Sequence, residues 1–192
     1  MTNKVFDTHL HIIDPAHPLQ ENNGYMPDPF TVADYQERIE GLNIQGGAVV
    51  SGSFQGFDQG YLIDALKALG PNYVGVTQIP GDTDDKRILE LHEAGVRAVR
   101  FNVARGGSAN LDELENLARR VYELAGWHAE FYIDARTIDE DLSQRIAALP
   151  AASIDHLGMH EHALNNPLRL VEKGINVKAT RFGLVHLDPA AT

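Results

Sequence analysis

A (β/α)8 TIM barrel is the fold class this sequence predicts, and three observations predict it. Short apolar, β-rich runs alternate with longer amphipathic ones along the chain, at roughly 25-residue intervals from Gly46 onward, the length of a strand–helix unit. Such alternation means a parallel sheet covered by helices, and a doubly wound sheet would show it as well. The first run is followed by no GxGxxG or Walker-type loop of the kind nucleotide-binding sheets carry. The polar residues settle the choice. His9, His11, Ser51, Arg100, Asn102, Tyr132, Asp134, His156 and Lys178 fall near the C-terminal ends of their runs, where a barrel gathers its chemistry.

The first strand candidate, KVFDTHLH (4–11), places Asp7, His9 and His11 at every second position. Strand side chains alternate between faces, so these three share one face with Val5 while Phe6, Thr8 and Leu10 share the other. Two imidazoles so placed can lean onto one metal ion or one substrate group. Residues 12–30 hold Pro15, Pro18, Pro27 and Pro29 and read as a long loop at the same end, covering the site. A helix over TVADYQERIEGL leads to GGAVVSG (46–52), with Ser51 at its end. DQGYLIDALKALG and TDDKRILELHEAG flank the third strand, YVGVTQI (73–79).

The fourth strand, VRAVRFNV (96–103), alternates Ala98, Arg100 and Asn102 against Val99, Phe101 and Val103. With the apolar set under the helices, Arg100 and Asn102 point inward, and an inward arginine must be paired. The structural alternative is a salt bridge to Asp7 or Glu130. Arg105, in the Gly-rich loop that follows, is placed to reach the same region. LDELENLARRVYELAG leads to HAEFYID (128–134), where Tyr132 alternates inward with Glu130. TIDEDLSQRIAAL leads to SIDHLG (153–158), in which alternation puts Ile154 and His156 on one face. A second HxH, His160 and His162, falls in a loop without strand geometry. HALNNPLRLVEKG precedes INVKATRF (175–182), with Lys178 inward, either on substrate or balancing an acid. Asp, Thr and Ser stand before several helices and Gly after them, as caps require.

Seven strands are countable, and closure of this barrel takes eight. The expectation is one domain over residues 1–192, incomplete on its C-terminal side. The strands at 4–11 and 175–182 would then expose open edges that invite a second copy, hence a homo-oligomer.

Composition narrows the function classes. With 43% apolar and 22% charged residues the chain is an ordinary globular one. It has no cysteine, which excludes disulfides, thiolate metal sites and cysteine nucleophiles and fits a cytoplasmic setting. No signal peptide or membrane-length apolar run is present. A formal net charge of −11 argues against nucleic acid and anionic membranes as partners and leaves small molecules, including anionic ones.

The segments FDTHLHIIDP, GVRAVRFNV, GWHAEFYID, IDHLG and INVKAT, in this order, resemble the amidohydrolase-2 branch of the amidohydrolase superfamily. The resemblance is strongest to the TIM-barrel hydrolases that include the pyrone-dicarboxylate and sugar-acid lactonases. It implies opening of a small, carboxylated lactone ring by an activated water. By this resemblance His9, His11 and His156 line the catalytic site, and Arg100 holds a substrate carboxylate or polarises the carbonyl. From their placement at strand ends and in the following loop, not from the resemblance, Asn102, Arg105, Tyr132, Ser51 and Lys178 are expected to complete the substrate contacts. Two cofactor states stay open: zinc or another divalent ion on His9, His11 and His156, or no metal. Met159 stands where pyrone lactonases commonly carry arginine. The family's general base, an aspartate ending the eighth strand, is not matched by Asp188, so this stretch is expected to lack it. The competing readings are a metal-dependent decarboxylase of the same superfamily and a non-catalytic binding remnant.

Overall fold

The computed structural model describes residues 4–22, 24–105 and 111–181. Seven strands alternate with six α-helices among the described residues, and strands pair with their chain neighbours. The chain divides into two compact units, Met1–Ala98 and Val99–Thr192, the division falling inside the fourth strand.

In the first unit β1 (Val5–Leu10), β2 (Ile44–Val50) and β3 (Tyr73–Thr77) pair in parallel. Each pair is joined through a helix, α1 (Val32–Arg38) or α2 (Gly60–Leu69). Helix α3 (Asp85–Glu93) leads into β4 (Val96–Phe101). Gly46 and Gly47 stand inside β2 because the chain passes too close for a side chain. A Cβ at Gly46 would lie 2.2 Å from the Asn72 carbonyl oxygen, and one at Gly47 would lie 2.9 Å from that of Asp7. Small and β-branched side chains fill the space beyond, with Ala48, Val50, Val76 and Ala98 in one buried cluster. The helices begin where the caps foretold. Thr31 and Asp34 form a reciprocal capping box on α1, and Asp84 accepts the Arg87 N–H at 2.7 Å on α3.

The loop after β1 is held down by its own backbone. Ile13 pairs antiparallel with Phe30, Asn22 with Tyr25, and the Gln20 N–H donates to the Phe54 carbonyl at 2.8 Å. The Tyr25 and Phe54 rings lie 6.2 Å apart.

In the second unit α4 (Leu111–Ala125), α5 (Glu140–Ala147) and α6 (Asn165–Glu172) alternate with β5 (His128–Phe131), β6 (Ala152–Ile154) and β7 (Asn176–Val177). Residues 128–131, 152–154 and 176–177 pair in parallel register. The far end of β4 joins them, since the Tyr132 N–H donates to the Phe101 carbonyl at 3.0 Å. Trp127, Val121, Ile146, Ile154 and Leu170 are buried between strands and helices.

All seven strands end earlier than sequence alternation suggests, β7 at Val177 by the widest margin. The chain leaves β2, β4, β5 and β6 through short 3-10 turns at Ser53–Gln55, Val103–Arg105, Ala135–Thr137 and His156–Met159. The candidate functional residues therefore stand on strand ends and tight turns, which alternation does not describe.

Candidate functional site

Each unit carries its own set of functional side chains. In the first, His9 and His11 leave the end of β1 with ring centroids 5.0 Å apart and planes at 88°. The His9 backbone N–H donates to the Asp7 carboxylate at 3.3 Å. His11 Nδ1 lies 2.7 Å from the Val50 carbonyl oxygen. A carbonyl can only accept, so in the neutral ring Nδ1 carries the proton and Nε2 keeps its lone pair. Metal-binding and proton-accepting histidines are prepared in this way. The Phe54 ring stands 6.0 Å from His11, so the turn that anchors the 12–30 loop also walls the histidine.

Asp7 accepts from the buried Tyr35 hydroxyl at 3.3 Å. Burial, first, and then the Tyr73 hydroxyl and the Asp7 charge hold the Tyr35 phenol well above its ordinary pKa. Tyr35 thus stays a neutral donor that steadies Asp7. Ser51 is buried, and its Oγ lies 2.6 Å from the Tyr61 hydroxyl. Gln55 and Gln78 lock the adjoining turn. The Gly52 N–H donates to Gln55 Oε1 at 2.7 Å, and Gln78 Nε2 donates to the Gly52 carbonyl at 2.9 Å.

In the second unit Arg100 is indeed paired, and Glu130 is one partner, at 3.6 Å from Nε. The closer partner is Asp155, whose Oδ2 receives Nε at 3.0 Å and Nη2 at 2.7 Å. Nη1 donates to Asn102 Oδ1 at 3.3 Å, and the guanidinium lies 4.9 Å above the Tyr132 ring centre. Lys178 bonds Glu130 and stands 3.5 Å from the other Asp155 oxygen. Glu130 and Asp155 are completely buried. Two acids and two bases close a neutral quartet, since a lone charge at this depth would cost several kcal/mol, on the order of its desolvation.

Asp155 is the residue that sequence reasoning missed. Glu130 and Ser153 are register partners, so Asp155, two residues beyond Ser153, falls on the Glu130 face and Ile154 on the opposite one. The expectation that Ile154 and His156 share a face is corrected by the backbone. His156 has φ 51°, Leu157 54° and Met159 62°, a left-handed turn that breaks the alternation. Consecutive residues Asp155 and His156 therefore reach the same side, and the His156 ring lies edge-on to Tyr132 at 5.8 Å. His156 is almost fully buried, with Nδ1 2.7 Å from Thr180 Oγ1. The available signal was the acid directly preceding a strand-end histidine.

Arg105 closes the Val103–Arg105 turn, and its side chain lies outside the described residues, as does Asp188. The second HxH joins neither set. His162 is exposed beside Glu161 at 3.3 Å, and its N–H donates to His160 Nδ1. Asp134 faces Arg136, whose guanidinium holds the carboxyl below its usual range.

A family model described as amidohydrolase matches residues 6–181. The 2-pyrone-4,6-dicarboxylate hydrolase of Comamonas testosteroni is 31% identical over 157 residues, 79% of this chain and 51% of that protein. A 4-sulfomuconolactone hydrolase of Hydrogenophaga intermedia is 26% identical over 160 residues, 80% of this chain and 52% of the relative. The chain thus spans about half the length of the curated relatives it matches. Among solved structures, the Acinetobacter baumannii probable 2-pyrone-4,6-dicarboxylic acid hydrolase, crystallised with citric acid, aligns with TM-score 0.81 at 21% identity. That alignment covers 94% of this chain and 71% of the neighbour. At that identity the likeness shows the fold alone, a TIM-barrel arrangement.

Proposed function

The chain belongs to the amidohydrolase family, and from that premise we propose that it serves the hydrolytic opening of a small, carboxylated lactone by water. The observation that carries the reading is the His11–Val50 bond, which leaves a strand-end imidazole with its lone pair on Nε2. The named activities of the Comamonas and Hydrogenophaga relatives support it.

In this reading water adds to the lactone carbonyl, the ring C–O bond breaks, and the ring oxygen leaves as a hydroxyl after taking a proton. His9, His11 and His156 are the proposed catalytic residues, accepting and returning that proton. His11 also fits a divalent ion, because neutral nitrogen with Nδ1–H anchored on a carbonyl is the form in which histidine ligates metal. His9, His11 and His156 are its proposed ligands. Such an ion, zinc or a similar one, would supply Lewis acidity to the water and carbonyl. Asn102, Arg105, Tyr132, Ser51, Lys178 and the Nη1 edge of Arg100 are the proposed substrate contacts. Preorganised donors of this kind stabilise a developing oxyanion without reorganising. A single barrel domain, a cytoplasmic setting and association with a second copy belong to the same proposal. Among the described residues no helix is long and apolar enough to cross a membrane.

The test is a panel of carboxylated and neutral lactones followed by acid release. Turnover of carboxylated members that His156→Asn abolishes supports the reading. Turnover that His156→Asn leaves intact, or equal binding of carboxylated and neutral lactones by the purified chain, overturns it.

A further inference from the structure

We propose that Thr180 is a positioning residue for His156, accepting the Nδ1–H of the imidazole and so keeping Nε2 as the lone-pair nitrogen. The catalytic meaning of this rests on the hydrolase reading; the tautomer itself does not. Oγ1 lies 2.7 Å from Nδ1, a full-strength hydrogen bond, between residues 24 apart in sequence.

Three further features of the turn point the same way. The His156–Met159 backbone is left-handed at three non-glycine residues, a conformation that persists only where surroundings enforce it. The enforcing bonds come largely from the Thr180 segment: Leu157 N–H donates to the Lys178 carbonyl at 3.1 Å, and Lys178 N–H to that of Ile154 at 2.9 Å. The same turn is clamped from beneath, since Gly158 has no room for a Cβ beside Ala135 and Pro167. The segment that carries Thr180 therefore also carries the turn, and the hydroxyl fixes the one freedom left, rotation of the ring. His11 reaches the same state through a backbone carbonyl, where no choice of donor exists. At His156 the partner is a hydroxyl, able to donate or accept, so the tautomer can be changed by one substitution. The nearly buried ring has little water to take over the role.

The experiment is 15N–1H correlation of the histidine rings in the full chain, at a pH where the rings are neutral. His156→Asn assigns the signal by its disappearance. A pyrrole-like Nδ1 and pyridine-like Nε2 in the wild type are expected. The near-isosteric Thr180→Val should reverse them or split the population, and Thr180→Ser should preserve them. An unprotonated Nδ1 in the wild type, or an unchanged tautomer in Thr180→Val, overturns the proposal. On a lactone the wild type opens, Thr180→Val should lower kcat about 10–100-fold with little change in KM, the usual scale for a residue orienting a site histidine. Thr180→Ser should restore most of the loss. An intact spectroscopic result together with equal binding of carboxylated and neutral lactones would count against the hydrolase reading alone.

Discussion

Arg100 closes on Asp155 with two N–H groups on one carboxylate oxygen, at 3.0 and 2.7 Å, joining the end of β4 to the end of β6. Both side chains are buried, so the pair is worth most as a constraint. It fixes Asp155, and through it the start of the turn that aims His156.

Arg100→Met leaves Asp155 and Glu130 sharing the single cation of Lys178. Removing one member of a buried ion pair costs about 3–5 kcal/mol of stability, and a urea titration should show a loss of that size. Arg100→Lys should recover only part, because a point charge cannot make the forked contact.

The same substitution tests substrate charge. Measured on folded protein, Arg100→Met should cost about 2–5 kcal/mol in kcat/KM on carboxylated lactones, and much less on neutral ones. Equal losses would assign Arg100 to the Asp155 contact alone.

His11→Asn removes the oriented Nε2 and leaves the strand intact. Expected is a fall in kcat/KM of about 100-fold or more, the scale of a lost acid–base group. Since His11 is only half-buried, the urea midpoint should barely move. A large stability loss with full activity would remove His11 from the chemistry.

Asp134 predicts a pH effect with a definite sign. Arg136 holds its carboxyl below the ordinary range, so the native state binds its proton less readily than the unfolded chain. The stabilisation is fully present above the unfolded value of about 3.9 and fades as pH falls through the lower native value. Arg136 is 61% exposed, which limits the effect to about 1 kcal/mol or less. Denaturation midpoints of wild type and Asp134→Asn should differ at neutral pH and converge in acid.

Gly158→Ala separates strain from crowding. Its φ is 73° and the new Cβ would lie 2.6 Å from that of Ala135, whereas Gly174, at φ 89°, has open space. Gly174→Ala should cost about 1–2 kcal/mol for the left-handed backbone alone. Gly158→Ala should cost visibly more in a thermal melt, by the amount of the clash.

The strand–helix succession was legible because period-two and period-3.6 patterns are written locally, and the helix starts because Thr31, Asp84 and Asp139 cap in their own first turns. The shared face of Arg100 and Asn102 on the β4 end was legible for the same reason. The side taken by His156 was not, because it depends on a left-handed φ at His156 itself, in a turn held by bonds to Lys178. The Ser51–Tyr61 and His156–Thr180 bonds likewise join side chains from different elements, a relation no spacing rule contains.

The dependence of the His156 turn on the Lys178–Thr180 segment has a consequence for synthesis. A chain emerging from the ribosome exposes His156 first, and the acceptor on Thr180 follows 24 residues later. At about 5–20 residues per second the histidine waits roughly one to five seconds before its turn can be held. The β5–β6 pairing can form in that interval, while the imidazole has yet to be aimed. In the order of birth, the scaffold precedes the chemistry.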